Sequence, residues 1–533
     1  MSNSDIIYAL DITAKLLELH GENPFKTKAY TNAAYKLNKL RFDFENKTDE
    51  EIEQIEGIGK GIATKIKELI KTGGTVELSE LYNKTPQGVV QMLGIKGLGP
   101  KKVRQLWQEL EVESVGELLY ACNENRLTAL KGFGEKTQTQ VKLNIEFKLA
   151  NNNKFHFATL EKPANNLVGF ILENQPELQI ALVGQLARKC EIIDKIEILM
   201  DGVLTKDISD IEKTIPLKIN FITCEPNEFF YKLLELTSTE QHLEKINFNS
   251  LTTTEFFDEE EIYQALNLQY IEPELREGLT EVGLAEQNNL PQLIELSDLK
   301  GVLHNHTTYS DGVHTLKQMA DYCKELGYEY LGICDHSKTA VYANGLDIDK
   351  VLQQQNEIDT LNSSYQNFKI LKGIESDILN DGSLDYENDI LKTFDFIVAS
   401  VHSNLKMNEE KATERLIKAI ENPYTSILGH PTGRLLLARQ GYPINHKKVI
   451  DACAANKVSI ELNAHPYRLD IDWRWIPYCL NKGVMISINP DAHHKEGYHD
   501  MYYGVCAARK GILFKEMCLN SLELSDLLLK FQK

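Results

Sequence analysis

His304, His306, Asp311, His336, Glu375, His402, His430, Asp491 and His493 are all side chains that bind divalent cations, and they recur through the C-terminal part of a 533-residue chain. Imidazole nitrogens mixed with carboxylate oxygens suit Mn²⁺, Zn²⁺ or Fe²⁺ better than Mg²⁺ or Ca²⁺. Nine such ligands suffice for a cluster of two or three cations. A cluster of that kind activates water and clamps phosphate oxygens, so the chemistry it points to is phosphoester hydrolysis.

Residues so far apart form one site only if the chain brings them together. Apolar runs that read as strands lie at Gly301–Leu303, Tyr330–Cys334, Lys369–Ile374, Phe394–Val401, Ser426–Leu428, Val458–Leu462 and Val484–Ile488. Helical patterns such as Thr315–Leu326, Ile348–Leu361, Glu409–Ile420 and His446–Asn456 lie between them. Alternating strand and helix predicts a parallel sheet, and seven units predict a closed or nearly closed (β/α)7 barrel. In such a barrel every strand ends on the same rim. The ligand series follows six of the seven strands, so the rim collects it. The remaining strand ends in Glu461-Leu462-Asn463, placed to support the ligands or the substrate. His314, His446, His465, His494 and His499 fall out of that register and read as structural or substrate-facing.

A different pattern marks residues 1–150. Gly-apolar-Gly occurs three times: Gly57-Ile58-Gly59-Lys60, Gly97-Leu98-Gly99-Pro100-Lys101-Lys102 and Gly132-Phe133-Gly134-Glu135-Lys136, each with helical pattern on both sides. Glycines permit a tight turn and close approach of backbone to a ligand, and the turn opens a helix whose free N–H groups suit a phosphate oxygen. One copy is a helix connector; three, each followed by lysine, predict a grip on a nucleic-acid backbone without sequence readout. The segments resemble helix-hairpin-helix motifs. Charge agrees, because residues 1–150 are neutral and the whole net charge of −20 falls on the rest. So acidic a chain is not a non-specific nucleic-acid coat.

The motifs His304-Asn305-His306 through Ser310-Asp311-Gly312, Asp335-His336, Gly373-Ile374-Glu375, Ser400-Val401-His402-Ser403, Gly429-His430-Pro431 and Pro490-Asp491-Ala492-His493 resemble the polymerase and histidinol phosphatase (PHP) domain. All nine positions of that family's trinuclear ligand pattern are present. His304, His306, Glu375 and Asp491 would hold adjacent cations, with Glu375 bridging. Glu375, Asp491 and His306 would be catalytic, and Arg434 would steady a phosphate.

Domain order over nearly the whole chain resembles the bacterial family X DNA polymerases (PolX). Gly21–Tyr30 resembles the start of their N-terminal domain, which holds the 5′-phosphate side of a DNA gap. Lys65 matches the lysine that some members use for sugar-phosphate lyase chemistry. Gly184–Arg188 and Tyr270–Glu277 resemble segments of the polymerase palm. The palm's paired strand carboxylates must stand at i and i+2 on one face. Here those positions hold Lys195 and Glu197, and the third carboxylate is Asn220. Gln185, Ala187 and Thr237-Ser238-Thr239 depart from the family pattern as well. Polymerase activity is therefore expected to be lost.

The domains predicted are 1–80, helical with a helix-hairpin-helix; 81–150, a second helix-hairpin-helix domain; 151–285, a degenerate α+β palm and thumb; 286–299, a polar linker; and 300–533, the PHP α/β barrel. The resemblance implies a DNA-repair 3′–5′ exonuclease acting on gapped, nicked or 3′-ended DNA, with AP-endonuclease or 3′-phosphodiesterase action in some members. The alternatives are an active polymerase/exonuclease and a small-molecule phosphatase of the histidinol-phosphate kind. Nine cysteines without a C-x-x-C pair fit a reducing cytoplasm. The N-terminus shows no signal-peptide pattern. No apolar run approaches the ~18–20 residues of a membrane span. A cytoplasmic monomer is the expectation.

Overall fold

The computed structural model describes residues 3–40, 48–55, 58–123, 126–150, 153–437 and 440–532. Two compact units, Met1–Asn152 and Asn153–Lys533, divide the chain. Among the described residues no helix is long and apolar enough to cross a membrane.

The first unit is helical. Its core is built from Leu10, Leu16, Leu37, Ile66, Val103, Leu106 and Ile145, all buried. The Gly-apolar-Gly segments share one turn. In each, the amide of the middle apolar residue donates to a carbonyl three residues back: Ile58 to Ile55 (3.0 Å), Leu98 to Ile95 (3.0 Å) and Phe133 to Leu130 (3.1 Å). The middle side chain plugs into the core in all three. Gly97 and Gly132 both have φ of +89°, a backbone that favours glycine. The helices Lys60–Thr72, Pro100–Leu110 and Glu135–Ala150 start directly after Gly59, Gly99 and Gly134. Gly57 lies outside the described residues.

The second unit begins with two small sheets. β1 (Phe155–His156) pairs antiparallel with β3 (Ile192–Ile193), and β2 (Ile180–Val183) lies antiparallel to β4 (Ile196–Met200), which runs parallel to β5 (Ile219–Thr223). The register sets Glu197 directly beside Asn220.

Seven parallel strands follow: β6 (Gly301–Val302), β7 (Tyr330–Ile333), β8 (Lys369–Asp377), β9 (Phe396–Ser400), β10 (Ile427–Leu428), β11 (Ser459–Asn463) and β12 (Ile486–Asn489), paired in sequence order. Beyond the strand ends, Asn305 bridges Ala492 in parallel, and the His306 amide donates to the Ala492 carbonyl at 2.9 Å. The barrel is thus nearly closed. Its strands are buried on both faces, as their unbroken apolar runs require. The interior is filled toward the strand starts by Tyr330, Leu371 and Phe396, with Leu519 and Leu527 of the last segment. Phe396 stacks on Phe531. A Cβ on Gly332 or Gly373 would lie within 2.6 Å of the Phe396 ring, so glycine makes room for it.

The stretch 286–299 differs from a free polar linker. Leu293 and Ile294 are buried, Leu293 bridges Phe514, and the Ile294 amide donates to the Leu513 carbonyl. Two apolar side chains suffice to dock an otherwise polar stretch.

Candidate metal centre

Glu375, on β8, is the middle of the cluster. Its Oε1 lies 3.0 Å from His430 Nε2, 3.1 Å from His402 Nε2 and 3.4 Å from His304 Nε2. Its Oε2 lies 2.8 Å from His336 Nδ1 and 3.7 Å from His306 Nε2. Asp491 Oδ1 is 2.9 Å from His306 Nε2 and 3.6 Å from His304 Nε2, and Asp311 Oδ2 is 3.4 Å from His493 Nε2. All nine residues singled out in the sequence therefore meet at the strand ends. Three overlapping groups within them present atoms close enough to hold an ion: His306, Asp311, His336 and His493; His304, His306 and Asp491; and His336, Glu375 and His402.

The donor set fits divalent cations. Among the described residues His304 Nε2, which faces Glu375 and Asp491, is buried with no hydrogen-bond partner, an expensive condition unless an ion engages it. His430 (φ +23°) and Asp491 (φ +52°) hold backbone conformations unusual for their types, as strained functional positions do. His304, His306, Glu375 and His430 are buried, whereas the side chains of Asp311 and His493 are 32% and 36% exposed, so the centre opens to solvent on their side.

Charge is divided unevenly among the rings. Burial would depress His304, but Glu461, Asp491 and Glu375 hold it well above the ordinary range. His402 follows the same logic: burial lowers it, yet Glu375 and Asp377 raise it to about 10. His493, also opposed by burial, is raised to about 9 by Asp311 and Asp491. His306 is pushed down to about 3 by burial, His493 and His336. Burial would raise Glu375, but His402, His304 and His336 hold it far below the usual carboxylate range.

A layer of acceptors aims the rings. Asp377 Oδ1 takes His402 Nδ1 at 2.6 Å, and Glu461 Oε2 takes His304 Nδ1 at 2.7 Å, leaving Nε2 of each ring toward Glu375. Such outer carboxylates fix tautomer and orientation. Asp335 accepts from Thr307, Ser310 and Gln354 and so ties the first ligand loop to β7. Asp377 stands two residues after Glu375 on one strand face, a signal that alternation alone carries.

Arg434, expected to steady a phosphate, is engaged by a loop. Its Nε donates to the Arg468 carbonyl (3.1 Å), Nη1 to Asp472 (2.7 Å) and Nη2 to the Leu469 carbonyl, so its guanidinium fastens a loop and none of its nitrogens faces the ligands. The arginine at the centre is Arg468, whose Nη1 lies 2.8 Å from Asp491 Oδ2. It sits in a loop five residues past Asn463, where no periodicity marks it.

Of the other histidines, His446 stacks on Trp475, His499 bonds Tyr322, and His314 Nδ1 accepts from the Lys495 amide. In the small sheet, Lys195 Nζ lies 3.7 Å from Glu197 Oε1, so an ammonium stands beside the carboxylate. Gln185 accepts from the Asp194 amide, and Arg188 pairs with Glu277.

In the first unit, Lys60, Lys101 and Lys136 are exposed, while Lys102 turns back toward the Gly97 carbonyl and the Phe133 ring. Gly59, Gly99 and Gly134 face open space, and Gly59 and Gly99 carry no side-chain cap, so the following N–H groups are uncovered. Lys65 lines an 810 Å³ cavity with Lys26, Tyr30 and Lys84 and pairs with Glu68 at 2.7 Å.

Family models agree with this layout. A helix-hairpin-helix domain matches residues 1–75, a SAM-like helix-hairpin-helix tandem matches 89–145, the DNA polymerase beta thumb matches 231–277, and the PHP domain matches 303–465. A probable phosphatase of Clostridium novyi is 26% identical over 36% of this chain and 78% of its own length, and one of Acetivibrio thermocellus is 28% identical over 36% and 78%. The DNA polymerase/3′-5′ exonuclease PolX of Bacillus subtilis is 32% identical over 99% of this chain and 98% of its own length. With helical hairpins, polymerase beta thumb and PHP barrel in that order, the chain belongs to the PolX family of bacterial DNA polymerase/3′–5′ exonucleases.

Proposed function

We propose that this protein binds DNA through its helical hairpins and hydrolyses phosphodiester bonds at DNA 3′ ends at the barrel rim, in DNA repair, with polymerase activity lost. The observation that carries the reading is a contrast. All nine ligand positions of the rim are filled and meet around Glu375, whereas the palm offers Lys195, Glu197 and Asn220 where a nucleotidyl transferase needs three carboxylates.

Two or three divalent cations held by the nine residues, Mn²⁺, Zn²⁺ or Fe²⁺ by donor type, would activate water and offset phosphate charge. The protein's own residues prepare the rest. Glu375 faces three rings with one oxygen and two with the other, so both of its oxygens would help hold the cations. Asp377 and Glu461 fix the His402 and His304 rings. The opening at Asp311 and His493 admits the terminal nucleotide, and burial of the opposite side excludes bulk water. The uncapped helix starts after Gly59 and Gly99, with Lys60 and Lys101, hold backbone phosphates. Glu135 at the start of the third helix weakens that hairpin's share. Lys65 is the residue suited to sugar-phosphate lyase chemistry, which first requires its release from Glu68.

The test is a gapped duplex labelled at the primer's 5′ end and incubated with Mn²⁺. A ladder of shortened products is expected, absent from His306→Ala. Intact DNA together with turnover of a small phosphomonoester would overturn the reading in favour of a phosphatase.

A further inference from the structure

Arg468 occupies an unusual position for an arginine. Its Nη1 lies 2.8 Å from Asp491, a residue of the cluster, and its Nε is buried with no hydrogen-bond partner among the described residues. A guanidinium nitrogen left so is costly until an acceptor arrives. Cations bound by Asp491 would draw on the carboxylate's charge and leave a fixed positive fork at the edge of a strongly positive centre. A planar fork there matches the oxygens of a phosphate, which it binds through two parallel hydrogen bonds.

The loop that carries Arg468 is clamped from two sides. From the barrel, Arg434 takes the carbonyls of Arg468 and Leu469, and Asp470 accepts from the Thr432 amide at 3.0 Å. From the palm, the His156 ring lies against Tyr467 with centroids 4.2 Å apart. Glu191 of the palm accepts from Trp473 Nε1 at 3.2 Å and from Arg474 Nη1 at 2.9 Å. The palm contacts therefore flank Arg468 on both sides in sequence. Between them, Leu469 and Trp473 share with Phe157 and Glu191 a cavity of only about 10 Å³, too small for the loop to shift freely.

We propose that Arg468 grips the non-bridging oxygens of the scissile phosphate, and that the catalytically silent palm holds it there through the positioning residues His156 and Glu191. The inference rests on the reading of the rim as a DNA phosphodiesterase. It gives the palm a role in hydrolysis that does not depend on nucleotide transfer.

Full-length protein loaded with Mn²⁺ tests it through three readouts: Mn²⁺ content, affinity for inorganic phosphate by calorimetry, and kcat/KM on the gapped duplex. Arg468→Gln should keep its Mn²⁺, bind inorganic phosphate at least about tenfold more weakly and cut about a hundredfold more slowly, as loss of charge-assisted bonds implies. Arg468→Lys, which keeps the charge without the fork, should fall between. Glu191→Gln and His156→Ala should keep Mn²⁺ and weaken phosphate binding about threefold to tenfold, with faster hydrogen exchange across residues 465–474. Unchanged phosphate affinity in Arg468→Gln, or loss of Mn²⁺ with phosphate affinity intact, would overturn the role of Arg468. Wild-type phosphate affinity and exchange in both palm variants would overturn the bracing. Failure of the parent reading looks different: the wild type would bind phosphate through Arg468 yet leave DNA uncut.

Discussion

The two oxygens of Glu375 face different sets of imidazoles, and two of those rings, His402 and His304, are aimed by carboxylates behind them. Asp377 is two residues along the same strand face, and its bond to His402 makes it the support most open to a clean test. Asp377→Asn should keep the fold and lower Mn²⁺ affinity or cleavage about 10–100-fold, read by metal titration and by primer shortening. Charge in the ion-free cluster supplies a second expectation. His402 near 10, His493 near 9 and the raised His304 hold protons at pH 8 that cations must displace. Metal loading should therefore release protons, and apparent affinity should fall as pH falls. Calorimetry in two buffers of different ionisation enthalpy measures the release; identical heats would contradict it. At this scale the ligands were legible in sequence because each follows an apolar run. Arg434 was not, because proximity in sequence to His430 says nothing about where a guanidinium turns. It turns to the carbonyls of a loop, and Arg468 from that loop takes the place at the centre.

Among elements, the seven strands agree with the hydrophobic runs to within a few residues, since a strand buried on both faces must be apolar throughout. β8 departs most: it continues past Ile374 to Asp377, because polar side chains that face the cluster are satisfied inside the sheet. The second and third hairpin turns were legible in Gly97 and Gly132, whose positive φ only glycine adopts readily, but the inward turn of Lys102 depends on Phe133 from the next hairpin. Lys60→Glu with Lys101→Glu should weaken DNA binding evenly across sequences and reduce the slope of log affinity against log salt by about 1 per lost phosphate contact; an unchanged slope would show that these helix starts do not touch DNA. A buried element of the thumb carries a pH signature. His242 is fully buried between Glu281 (2.8 Å) and the Tyr263 hydroxyl (3.0 Å), and burial lowers its pKa. Its folded pKa is below the unfolded value near 6.5, so the stability it contributes is complete above about pH 6.5 and is lost as pH falls through the folded value. The melting temperature of the wild type should therefore drop more steeply below pH 6.5 than that of His242→Gln. Parallel curves would contradict this.

For the whole molecule, the chain has two places where metal-assisted phosphate chemistry belongs to its family, and they have diverged. The small sheet sets Glu197 beside Asn220 and an ammonium, Lys195, beside Glu197, which on the proposed reading leaves one carboxylate of three. At the rim all nine candidate ligands meet, with carboxylates that aim His402 and His304. The sequence made both readable through register together with the resemblance to known family motifs. It did not display that palm and barrel share one compact unit, because the joining contacts, such as Lys510 to Glu277 and Arg474 to Glu191, link residues hundreds of positions apart. The central claim is that only the rim still works on DNA. One gel tests it most directly: a gapped duplex with a 5′-labelled primer, Mn²⁺, and parallel lanes with and without all four dNTPs, for the wild type and Glu375→Gln. The account predicts shortened primers in both wild-type lanes, none in Glu375→Gln, and no product longer than the primer in any lane. Primers lengthened when dNTPs are present, above all in Glu375→Gln, would contradict it.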